Sequence, residues 1–201
     1  NLPPEVEAFV KSFAAKDAMG LVQVLVPMEK WKRDQALPMF QLGFKCEPLG
    51  TGEESVRREL VGDLAAEMLF GESSTLYLRL YEQGVIDSSF GGGFETVKGM
   101  AMLTASGDSF TPEAVQEAIL QQAQKLLAEG IDEEDFMRCK RSALGRRMRD
   151  LDSFDSLCFR ICAYHFSGFD YFDFPDVYAS IRQSDLLEFI RRVVTEDRPV
   201  R

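Results

Sequence analysis

A chain of 201 residues, 45% hydrophobic and 28% charged, has the composition of an ordinary globular protein with room for one sizeable core or two small ones. A formal net charge of −10 argues against a nucleic-acid or anionic-membrane surface as the main partner, and no run reaches the ~18 apolar residues of a membrane span. Four cysteines (Cys46, Cys139, Cys158, Cys162) are too few for a disulfide scaffold, and no signal peptide opens the chain, so free, mostly buried thiols and a cytoplasmic location are expected.

Pro3-Pro4 opens an amphipathic helix with Val6, Phe9, Val10 and Phe13 on one stripe, ended by Gly20. Residues 21–26 form an apolar strand stopped by Pro27, and a polar connection follows. Met39–Lys45 alternates as a half-buried strand. From Ser55 to Phe70, Leu60, Leu64 and Met68 recur every four residues beside Val61, Ala65 and Leu69, which predicts a helix.

The next segment, Glu67–Phe90 (EMLFGESSTLYLRLYEQGVIDSSF), is the most heavily punctuated of the chain. A helix ends at Gly71, a short second helix runs through Leu76-Tyr77 and Leu80-Tyr81, and Gly84 leads into a strand at Val85-Ile86-Asp87. Residues 88–95 predict a strand, a glycine bend at Gly91-Gly92-Gly93, and another strand; 98–105 predict a further one. Thr111 and Pro112 start a helix closed by Gly130, with Thr111 as its cap, and Asp132 caps a charged helix after it. Residues 151–154 interrupt that helix, 156–166 resume it, 168–175 form an aromatic loop, and a last helix carries Leu187, Ile190 and Val194. Paired strands alternating with helix runs predict an α+β domain, a mixed, largely antiparallel sheet with helices on one face.

Cys158, Cys162 and His165 stand at i, i+4 and i+7, a spacing that could offer three ligands from one helix face. That face is otherwise aliphatic and aromatic, so the cysteines are read as small hydrophobes and no metal site is assigned. His165 is the only histidine, which removes every two-histidine zinc motif and leaves any Ser-His or Cys-His pair dependent on it. The glycine run matches no phosphate loop and is read as a place of φ > 0 or close backbone approach. The basic run Arg138, Lys140, Arg141, Arg146, Arg147 and Arg149 reads as a solvated helix face. No carboxylate pair stands in a context apolar enough to raise a pKa.

The order and spacing of these segments carry a resemblance. Glu67–Phe90, the strand MFQLGFK, the stretch from Gly99 through Gly145 and the closing helices after Leu151 resemble the C-terminal, non-zinc half of the insulinase/pitrilysin family of zinc metallopeptidases, over about residues 36–197. The flavour is that of small bacterial cytosolic members. The resemblance implies a metallopeptidase-like half domain over 36–201, preceded at 1–35 by a helix, a strand and a connection. It implies zinc not here but in an N-terminal half or homologous subunit bearing H-x-x-E-H, with this chain inactive alone. Its role would be to close the chamber and help hold an extended peptide. The alternative is a peptidase-like scaffold that cleaves nothing. Asn1 without an initiator methionine fits a piece of a longer protein.

Family members place an Arg and, seven residues on, a Tyr in this segment to grip the substrate backbone. Here those positions align with Leu80 and Asp87, which leaves Arg79 and Tyr81 as the nearest candidates for peptide contact.

Overall fold

The structure, a computed structural model, describes residues 21–22, 38–97 and 100–194. The helix expected near the N-terminus, most of the strand at 21–26 and the polar connection fall outside the described residues. Four strands form one sheet: β1 (Leu21–Val22), β2 (Met39–Cys46), β3 (Gly91–Val97) and β4 (Met100–Asp108), in the order β1-β2-β4-β3. Every described pairing is antiparallel.

Alternation decides which face is covered. Phe40, Leu42, Phe44 and Cys46 of β2 lie opposite Gly107, Ala105, Leu103 and Ala101 of β4, and all but the glycine belong to the buried core. Against this face lies α1 (Gly52–Phe70), followed by α2 (Thr75–Glu82), α3 (Pro112–Glu129), α4 (Glu133–Asp150), α5 (Phe154–Phe166), α6 (Phe174–Ser180) and α7 (Gln183–Val193). The central helix is α1, which meets β3 on one side and α4, α6 and α7 on others. Val56, Leu60, Leu64, Ala65 and Leu69 are almost wholly buried along it. This is the expected α+β arrangement.

Two glycines set how closely α1 and the sheet approach. A Cβ on Gly62 of α1 would stand 2.5 Å from the Phe94 ring, and one on Gly92 of β3 would stand 2.4 Å from both the Phe70 ring and the Thr104 carbonyl. The glycine run is therefore not the bend expected between two strands. It lies inside β3, none of its members has a positive φ, and close approach is the reason for Gly92.

Three further expectations change. Val85-Ile86-Asp87 is not a strand: the Val85 and Ile86 amides both donate to the Leu80 carbonyl, and the Val85 carbonyl accepts from the Ser109 hydroxyl at 2.6 Å. The aromatic stretch after Gly168 is more than a loop, since Tyr171–Asp173 makes a 3-10 turn and Pro175 sits in the first turn of α6. Thr111 stands at the start of α3 without a side-chain cap bond; Ser109 Oγ instead accepts the Thr111 amide at 3.1 Å. Asp132 does cap α4, accepting from the amides of Glu134 and Asp135 at 2.9 and 3.2 Å.

Candidate functional site

Ser74 starts α2 by accepting the Tyr77 amide at 3.1 Å. Leu76, Tyr77 and Leu80 then turn into the core, so Leu78, Arg79 and Tyr81 face outward. Leu80, where the family register would put the gripping Arg, is only 3% exposed and cannot reach a ligand. Asp87, where the Tyr would stand, accepts the Ser89 amide at 2.7 Å. Hydrogen bonds from Ser89 hold its carboxyl below the usual carboxylate range.

The two candidates beside these positions are accessible. Tyr81 is 51% exposed and stacks on Tyr77, with ring centroids 5.7 Å apart and planes within 10°. Arg79 is exposed and forms no side-chain hydrogen bond or ion pair with any described residue. Tyr77 in turn packs on Phe90, which contacts Phe70 and Phe40, and this fastens α2 to the head of β3. Burial pushes the Tyr77 hydroxyl above its ordinary pKa, with Glu72, Tyr81 and Asp87 adding to the rise. On its far side β3 has no partner strand among the described residues, so its outer backbone groups form an edge.

The basic run is the largest departure from expectation. Arg147 is 8% exposed: it donates to Tyr164 Oη at 2.9 Å, to Asp63 Oδ2 at 2.8 Å and to Glu59 Oε1 at 3.4 Å, and its guanidinium lies over the Phe174 ring. Burial works against the Arg147 charge, but Tyr164 and Asp63 together hold its pKa above that of a free guanidinium. Asp63 moves upward, because its withdrawal from water outweighs the attraction of Arg147. A carboxylate with a raised pKa thus exists where none was expected. The spacing of Glu59 and Asp63, four apart on α1 among Leu60, Val61 and Leu64, was its one visible trace. Arg146 grips Glu67 through two bonds of 2.8 and 3.3 Å, and Lys140 donates to the Ala179 and Ile181 carbonyls. Arg147, Arg146 and Lys140 thus form the seam that joins α4 to α1 and α6, while Arg138, Arg141 and Arg149 are exposed as expected of a solvated face.

Cys158, Cys162 and His165 are exposed on α5, so the expectation of mostly buried thiols holds for only two of four. Cys46 and Cys139 are buried, and burial pushes each thiol up to about 12. Among the described residues no cluster of three or more His, Cys, Asp or Glu could hold a metal ion. A groove of about 490 Å³ runs between the end of β2, the start of α1 and α7. Its Arg57, Arg58 and Arg192 are tied to Asp185, Glu54 and Glu188. No described helix is long and apolar enough to cross a membrane.

A model of the peptidase M16 inactive domain matches residues 22–143, more than half of the chain. The chain belongs to this family. It is 28% identical over 177 residues to the uncharacterized zinc protease YmfH of Bacillus subtilis, a match that covers 84% of the chain and 41% of that protein. Among solved structures it resembles an M16-like peptidase from Alicyclobacillus acidocaldarius, with a TM-score of 0.74 at 21% identity over 80% of this chain and 39% of that one. It also resembles the inactive peptidase domain of a Bordetella parapertussis protein described as a zinc protease, with a TM-score of 0.65 at 16% identity, over 82% of this chain and 90% of that one. At these identities the likeness is one of fold. The chain spans about two-fifths of the length of the B. subtilis and A. acidocaldarius relatives.

Proposed function

We propose that this M16 inactive domain closes the chamber of a zinc protease and holds an extended peptide for a partner half that carries the zinc. The observation that supports this most is a half-exposed Tyr81 stacked on Tyr77, which Phe90 anchors to the head of β3, on a helix that also exposes Arg79 without a partner among the described residues. A cation and an aromatic face suit the carboxylates, carbonyls and side chains of a peptide, and a sheet edge with no partner among the described residues suits strand addition. When bound in the partner, zinc would activate water. What this chain adds is position, holding the scissile bond in reach of that water. Exposed Cys158 and Cys162 fit a reducing, cytoplasmic setting.

The test is peptide cleavage by this chain alone and after mixing with the H-x-x-E-H-bearing half of the same parent protein. No turnover alone and a clear rise on mixing are expected; turnover by the isolated chain overturns the proposal. Because Leu80 and Asp87 occupy the family's gripping positions, a scaffold that cleaves nothing is the second reading. It predicts that mixing restores no turnover although the two halves bind.

A further inference from the structure

Helix α5 carries an apolar face that no described residue covers. Phe154, Phe159 and Phe166 are 79%, 74% and 86% exposed, and Phe172 in the turn beyond is 71% exposed. Positions 154, 158, 159, 162 and 166 fall on one side of a helix, so exposed Cys158 and Cys162 extend the same stripe, which exposed His165 interrupts near one margin. Leu157, Ile161 and Tyr164 point the other way, into the domain. A surface helix apolar on both sides has a second surface to meet. Beside it, a cleft of about 370 Å³ opens between Phe159 and Ala163 of α5 and Met100 of β4.

Charge narrows the choice of partner. Exposed Asp152 and Asp155 stand at one end of the stripe and exposed Asp170 and Asp173 at the other. A second copy would bring the same acids against themselves in a chain of net charge −10. The same acids oppose an anionic lipid surface. A partner with an apolar centre and basic side chains around it meets neither penalty. About three-fifths of the length of the B. subtilis relative lies outside its match to this chain, and that remainder is the nearest candidate to supply such a surface.

We propose that the α5 face is the surface on which the zinc-bearing half of the parent protease docks, with Phe159 and Phe166 as its anchors. This rests on the functional reading above. Native cysteines supply the probe: the rates of maleimide labelling of Cys158 and Cys162 are followed by peptide mass spectrometry, with and without the purified zinc-bearing half. Labelling should be fast in the isolated chain, independent of its concentration, and at least ~10-fold slower in the complex. Phe159→Ser and Phe166→Ser should each weaken the complex at least ~10-fold, in line with the loss of an aromatic anchor, while leaving the unfolding midpoint in place.

Unchanged labelling in a complex that forms and turns over peptide defeats the docking assignment and leaves the functional reading standing. Slow labelling in the isolated chain would mean that its own remaining residues cover the face. Protection that grows with the chain's own concentration would mean a second copy does. Either result overturns the proposal. A wild-type chain that neither binds the zinc-bearing half nor raises its turnover defeats the functional reading itself.

Discussion

Arg147 on α4 and Arg79 on α2 belong to the same small domain and differ in almost everything that surrounds them. Arg147 is withdrawn from water, and Tyr164, Asp63, Glu59 and the Phe174 ring surround it. Arg79 has solvent on its side and no described partner. A buried charge held by partners within the fold serves assembly and is out of a ligand's reach. A charge left free on a rigid helix costs little and remains available. The same contrast separates the inner side of α5, where Tyr164 joins the Arg147 cluster, from its outer side, where three phenylalanines meet water.

The sharpest way to break this contrast is Arg147→Ala. It strands two carboxylates against a buried tyrosine, and a loss of about 3 kcal/mol is expected, the low end for breaking a buried pair because the Asp63 side chain is 39% exposed. Urea unfolding measures it. A loss below ~1 kcal/mol would mean that the cluster is solvated and that the seam is held by packing alone.

A smaller effect is expected within β3, where adjacent glycines should part ways. Gly92→Ala drives a Cβ into the Thr104 carbonyl and the Phe70 ring, at a cost of about 2 kcal/mol. A Cβ on Gly93 meets nothing within 4 Å, so Gly93→Ala should stay within ~0.5 kcal/mol of wild type. Equal costs at the two positions would contradict the assignment of the helix-covered face.

The alkaline response of each buried thiol is smaller over any one pH unit. In the unfolded chain Cys46 and Cys139 deprotonate near the ordinary thiol value of about 9, while in the fold they stay protonated to about 12. The folded pKa is raised, so stability is fully present below the unfolded value and lost as pH climbs from about 9 towards 12. The slope is about 1.4 kcal/mol per pH unit for each thiol. Cys46→Ala should cost some packing near neutral pH but flatten this slope by about half. A slope unchanged in that variant would mean that the Cys46 thiolate is already tolerated in the fold.

What could be foreseen from sequence follows the range of the forces involved. The α1 helix, the Asp132 cap and the glycine after α3 are settled within a few residues, and they stand as expected. Arg147 was misjudged because its partners Glu59 and Asp63 lie more than 80 residues away, and only the packing of α4 on α1 brings them together. Pro175 illustrates a local signal with two meanings: it breaks a helix interior but favours a first turn, and here it begins α6. Gly92 has the same ambiguity between a bend and a close approach, which a single sequence cannot divide. As for the candidate site, the outward direction of Arg79 and Tyr81 follows from the helical spacing of Leu76, Tyr77 and Leu80. The anchoring of Tyr77 by Phe90 depends on tertiary contact and was not visible.

Arg79→Ala is expected to have the smallest effect and the most informative one. With no partner among the described residues to lose, the domain should keep its stability within ~0.5 kcal/mol. If the side chain touches peptide, the mixed halves should show KM raised about fivefold with kcat almost unchanged, the mark of an interaction made equally in the bound substrate and in the transition state. Arg79→Lys should recover part of the loss, because the charge survives while the planar fork does not. The Arg147 variant provides the opposite profile, a large loss of stability with KM unchanged wherever the domain remains folded. A fall in both stability and turnover for Arg79→Ala would place Arg79 with Arg147 among the structural arginines, and would move the search for the peptide contact to the β3 edge.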